Sequence, residues 1–221
     1  MAPEEVLKSK PRVVSRQQQE SYFENGYLLV ENAVDKATLK KLQVCTAKAI
    51  DDSRKVEISD AVWDIEPGHS ADNPRLRRLT SPNDYDETYW NYASSEGITD
   101  ILSDLIGPDI KFHHSKLNFK WAGGGEEVKW HQDISFWPHT NYTPCTVGLY
   151  LEDCNDEQGP LGIIAGSHKA PCSINTMKTI NGLGACLTTM SCDSICREKP
   201  TFPVQLAPSQ FIIVERCMVQ K

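Results

Sequence analysis

Lys129-Trp130-His131-Gln132-Asp133 is the stretch that decides how this chain is read. On an extended strand, residues i and i+2 point to one face. His131 and Asp133 would then present an imidazole and a carboxylate side by side. A neutral nitrogen and an anionic oxygen suit a divalent first-row metal. Together they supply two of the three ligands of the 2-His-1-carboxylate arrangement, which leaves coordination positions open for other molecules. Alone, the tripeptide is weak. The chain has six histidines, so a chance match is ordinary, and a surface histidine beside a solvated aspartate is the simpler account. The surrounding sequence has to decide.

Working outward, Val128 to Phe136 reads as a strand. Before it, Ile110 to Trp121 mostly alternates apolar and polar residues, as a half-buried strand does. Ala122-Gly123-Gly124-Gly125-Glu126 is a turn between the two. Thr146 to Glu152 and Leu161 to Ala165 are further strands, separated by the turn cluster Asn155 to Pro160. Val204 to Leu206 and Phe211 to Val214 are two late ones. Toward the N-terminus the period changes. Ser15 caps a helix over Gln17 to Glu24 that stops at Gly26, and Tyr27 to Glu31 is a short strand. Asp35 caps a helix from Ala37 to Ile50, and Gly97 to Ile106 forms another, closed by Gly107-Pro108. Residues 56–83 carry Pro67, Gly68, Asn73, Ser81 and Pro82 and read as an irregular crossing. Helices first and strands afterwards give an α+β chain with an antiparallel sandwich or barrel. The expected division is a flexible tail at 1–14 and one domain at 15–221, helical over 15–108 and sheet-forming over 109–221.

Composition narrows the classes. The chain has 221 residues, 39% of them hydrophobic, with five Trp, seven Tyr and six Phe. That is enough for a sizeable core and argues against a disordered chain. A net charge of −7 with no long basic run speaks against nucleic acid as a partner. No apolar stretch approaches the roughly 20 residues of a membrane helix. Eight cysteines without a C-x-x-C or a secretory signal read as reduced thiols, hence an intracellular, cytoplasmic location. Gly123-Gly124-Gly125 is no phosphate cradle, because Glu126-Glu127 follows where a P-loop has Lys and Ser or Thr.

Several blocks then occur in order. They are Lys129 to Asp133, Phe136 to Asn141, Val147 to Asp153, Asn155 to Leu161, and Gly166-Ser167-His168-Lys169; Phe23 to Glu31 precedes them. Over about residues 15–170 this pattern closely resembles the phytanoyl-CoA dioxygenase family. The resemblance implies a double-stranded β-helix, or jelly roll, flanked by N-terminal helices. It implies Fe(II) and 2-oxoglutarate, and hydroxylation of an unactivated C–H bond in a small-molecule or acyl substrate. By resemblance, His131 and Asp133 are metal ligands, and Lys116 stands where the family places a side chain near 2-oxoglutarate. Arg78, in Pro74 to Leu79, is a weaker candidate for the same contact; a solvated basic run accounts for it equally well.

One departure is visible. The family's second histidine ligand lies on a late strand, followed about ten residues later by an arginine that pairs with 2-oxoglutarate. Ala207 to Val214 resembles the start of that region, and the histidine is then expected at about Val219. No histidine follows His168. The expectation is therefore a family member whose last strand or strands are missing, with two alternatives open: a dioxygenase, or a non-catalytic member with residual metal binding or a scaffolding role. His168 reads as structural, His139 as a pocket-wall or surface residue, and one of His113 and His114 as a core residue. A jelly roll without its last strand would expose sheet edges and self-associate.

Overall fold

The computed structural model describes residues 1–124, 131–132, 144–169, 201–203, 211–215 and 218–220. Two helices frame the N-terminal part. Ser15 accepts a hydrogen bond from the Gln18 amide and starts α2 (Arg16–Asn25), which ends at Gly26 in the left-handed conformation (φ 78°). The Asp35 carboxylate accepts from the Ala37 and Thr38 amides and starts α3 (Lys36–Asp52). Both starts agree with the sequence. The third long helix, α6 (Glu96–Ile106), buries Ile98, Ile101, Leu102 and Leu105, an i, i+3, i+4, i+7 stripe. That stripe meets Tyr22 of α2, Leu28 of β1 (Tyr27–Val30) and Val14 in one apolar cluster.

Residues 1–14, expected as a flexible tail, are packed. Pro3–Val6 forms the short helix α1, and Val6 and Val14 are buried. The anchor is Asp104, itself buried on α6. Its carboxylate accepts from the amides of Arg12 (2.9 Å), Val13 (2.8 Å) and Val14 (3.2 Å). The Gln19 side chain donates to the Asp104 carbonyl at 2.6 Å. A polar-looking sequence is thus held by backbone donors, which no side-chain pattern reveals.

The irregular crossing over 56–83 also contains structure. β2 (Trp63–Ile65) pairs antiparallel with β3 (Leu76–Thr80), with a register shift between Asp64 and Ile65. The bulge puts Leu76 and Leu79, three apart, into one cluster with Ala49 of α3. It therefore hides the alternation by which a strand is found. Two short helices follow, α4 (Pro82–Tyr85) and α5 (Glu87–Ala93). β3 then pairs with β4 (Lys116–Asn118). The long strand expected over 110–121 is only these three residues; residues 111–114 lie exposed, His113 and His114 included.

Two further antiparallel sheets complete the described fold. One has the order β1-β9-β6, with β6 at Cys145–Leu149 and β9 at Phe211–Glu215. The other has the order β5-β10-β7-β8, with β5 at His131–Gln132, β7 at Gly162–Ile164, β8 at Thr201–Pro203 and β10 at Met218–Gln220. The expected turn over 155–160 is a 3-10 turn at Asp156–Gln158, capped by Asn155 and closed by Gly159 (φ 68°). Val204 to Leu206 lies outside the described residues. Helices packed with antiparallel sheets are the expected α+β architecture. Among the described residues, no helix is long and apolar enough to cross a membrane.

Candidate functional site

His131 stands half-buried on β5. Its register partner is Val219 of β10, and Gln132 pairs with Met218. Val219 is paired on its other side with Ile163 of β7, so the histidine is carried at the margin of a four-stranded sheet. Asp133 follows directly in the chain and lies outside the described residues, as does His139. Position 219 holds a valine, which offers no donor atom. Among the described residues, no three His, Cys, Asp or Glu side chains converge as a metal site would require. Of the two residues expected to hold iron, His131 offers an imidazole nitrogen and Asp133, by sequence, a carboxylate, donors that suit Fe(II) in kind.

Lys116 lies in a different sheet, exposed on β4, with Thr80 as register partner. Arg78 is opposite Asn118 and donates through Nε to Asn118 Oδ1 at 3.3 Å. Directly opposed residues share a face, as do residues two apart. Arg78, Thr80, Lys116 and Asn118 therefore form one polar, cationic face. Leu79 and Leu117, on the other face, pack toward α3.

The remaining described histidines have other work. His168 is buried, and its Nε2 is 3.1 Å from the Phe23 carbonyl, which makes it structural as expected. His69 accepts from the Arg75 amide at Nδ1 (2.8 Å), which leaves its Nε2 to donate to the Ser53 carbonyl (3.0 Å). The rings of His113 and His114 hydrogen-bond each other. The Tyr150 phenol is pushed up to about 12 by burial, so it stays protonated at neutral pH.

One feature preceding the His131 strand in the chain had no clear sequence signal. Glu66 is 5% exposed and ion-paired with Arg75 at 2.9 Å, directly against the backbone of Gly124. A glycine triplet reads as a turn whatever lies beneath it.

Residues 22–181, well over half of the chain, match the phytanoyl-CoA dioxygenase family. The chain belongs to that family. This member is 30% identical over 160 residues to a protein of Stutzerimonas stutzeri described as a probable alpha-ketoglutarate-dependent hypophosphite dioxygenase, covering 69% of this chain and 53% of that one. It is 27% identical to L-proline trans-4-hydroxylase of Streptomyces griseoviridis, covering 67% and 53%. The dioxygenase-family chain thus spans about half the length of the curated relatives it matches. Its fold is that of the solved EctD of S. alaskensis with 2-oxoglutarate and 5-hydroxyectoine: TM-score 0.77 at 18% identity, over 100% of this chain and 74% of that one. The carbocyclase SnoK, described as non-heme and alpha-ketoglutarate-dependent, gives a TM-score of 0.74 at 13% identity, over 96% and 80%. These neighbours are jelly rolls, and the antiparallel sheets here are of that kind.

Proposed function

We propose that this chain is the iron-binding part of a 2-oxoglutarate-dependent dioxygenase that hydroxylates a small or lipid-like organic substrate. The observation that carries this reading is the family match over residues 22–181, with His131 lying inside it on a strand of the jelly-roll sheet. His131 and Asp133 hold the metal. When bound, Fe(II) supplies the oxidising chemistry with O2 and the co-substrate. Lys116 supplies a cation for a 2-oxoglutarate carboxylate, and Arg78 on the same face adds a second. Arg78 suits this role because its one described bond goes to the neutral amide of Asn118, so its charge is not cancelled there. The domain takes in the packed segment 1–14 together with residues 15–221, in an intracellular protein; its described cysteines, Cys45, Cys145 and Cys154, are thiols and not disulfides.

The test is direct. Fe(II) and 2-oxoglutarate added anaerobically produce a visible charge-transfer band, and admission of air releases succinate. His131→Ala abolishes both, and Lys116→Ala weakens 2-oxoglutarate binding while sparing the metal. Absence of both signals from the wild-type chain defeats the reading.

Val219 favours a second reading. With valine opposite His131, the metal keeps two protein ligands, and the chain binds it weakly without turnover. Metal uptake without succinate is the result that selects it.

A further inference from the structure

Glu66, which is buried, and Arg75, which is partly buried, form an ion pair beneath a turn. Glu66 Oε2 accepts from Arg75 Nε (3.2 Å) and Nη2 (2.9 Å). Its other oxygen, Oε1, is buried and has no hydrogen-bond partner. The turn above is Trp121 to Gly124, closed by the Gly124 amide donating to the Trp121 carbonyl at 3.2 Å. It is pinned from one side by Trp121 Nε1, which donates to the Leu76 carbonyl at 2.7 Å. From below it rests on the pair. A Cβ built on Gly124 would strike Arg75 Nη2 and lie 2.9 Å from Glu66 Oε2, closer than real contacts come. Glycine here allows close approach to the pair; a larger residue would have to displace the Arg75 guanidinium and the Glu66 carboxylate. The pair is fixed in turn. The Glu66 amide donates to the Arg75 carbonyl, and the Arg75 amide donates to His69, which is tied to Ser53 just after α3.

As a source of stability this is a poor arrangement. One carboxylate is removed from water, its guanidinium partner only partly, and among the described residues one carboxylate oxygen is left unsatisfied, where apolar packing of similar volume would serve as well or better. What the pair supplies is a rigid planar fork at a fixed height under one backbone position. That position opens the connection to β5, with six residues between Gly124 and His131. We infer that Glu66 and Arg75 are positioning residues, which set where the strand carrying His131 enters its sheet. The inference rests on the reading of His131 as a metal ligand only for its functional meaning.

The experiment compares the wild type with Gly124→Ala, Arg75→Lys and the double variant, using Asp104→Asn as a control for general destabilisation. Arg75→Lys keeps the charge against Glu66, so it folds where Arg75→Ala would leave a buried carboxylate unpaired. Two readouts are taken: amide hydrogen exchange of the peptide holding His131 and Gln132 in metal-free protein, and Fe(II) affinity. Each single variant is expected to speed exchange there about tenfold and to weaken Fe(II) binding about tenfold, as losses of supporting contacts around a metal ligand do. Added to Arg75→Lys, Gly124→Ala should contribute less than about a further threefold, because the guanidinium it strikes is gone. Unchanged exchange at His131 overturns the inference. So does an equal change in Asp104→Asn, or a full additional effect in the double variant. If the wild type binds no Fe(II) yet exchange responds as stated, the positioning role stands and the metal reading falls.

Discussion

Asp104 is a buried and His131 a half-buried polar side chain, and the chain supports them in different ways. Asp104 sits on a helix of 11 residues and takes its partners from backbone amides of its own chain. His131 rides on a described strand of two residues, paired with a strand of three. The first arrangement satisfies a carboxylate completely and ties the N-terminal segment to the core. The second places a potential ligand, half-buried, on a strand paired with β10. Among the described residues, the helical half and the base of β3 bury apolar clusters, whereas His131 is only half-buried.

The contrast can be broken from either side. The largest loss of stability should follow Leu79→Ala, which empties a fully buried position between β3 and α3. About 3 kcal/mol is expected from urea denaturation. Asp104→Ala should come next, at about 2 kcal/mol, since three backbone donors lose their acceptor. Limited proteolysis should then cut within residues 1–14, and resistance there would show that Asp104 is not the anchor. His131→Ala should change stability by less than about 0.5 kcal/mol, as a half-buried substitution away from the core does. Its effect falls on metal binding instead, and a large stability loss would erase the distinction between the halves.

The smallest effect is electrostatic. Lys48 donates to Asp52 at 2.6 Å, and Tyr85 donates to the same carboxylate at 2.7 Å. The lysine bond, then the tyrosine bond, holds the Asp52 carboxyl down to about 2. Its folded-state value lies below the ordinary 3.8, so its contribution is present above about pH 4 and is lost as the pH falls toward 2. Lys48 is raised by the bond to Asp52, so its side of the interaction persists below pH 10.5 and fades above it. Asp52→Asn should flatten the acid limb slightly. The cluster is solvent-exposed, and salt at about 1 M should remove most of the difference.

Much of this was legible in sequence because it is local. Ser15, Gly26 and Asp35 mark helix ends by side-chain chemistry acting over three or four residues, and Asn155 to Gly159 mark a turn in the same way. His131 and Asp133 were singled out by spacing and by the family blocks around them. The misses are non-local. The β3 bulge disguises a strand, the Asp104 anchor couples residues some ninety positions apart through backbone atoms, and Gly124 lies against the guanidinium of Arg75, just before β3. None of these leaves a periodic trace. The expected strand over 110–121 erred the other way: alternation was present, but described pairing exists only at Lys116–Asn118.

The earliest strand has one of the latest partners. β1, at residues 27–30, pairs with β9 at 211–214. The end of α2 is likewise closed by residues 166–169, through Gly166 to Asn25, His168 to Phe23 and Lys169 to Glu24. A ribosome adding about 5–20 residues per second makes β1 many seconds before its strand partner β9 exists. The apolar face of α6 meets Leu28 during that wait, while the strand's backbone stays open. Folding of this domain is thus bound to the late part of its own synthesis, and the interval before β9 emerges is when a holding chaperone would matter most.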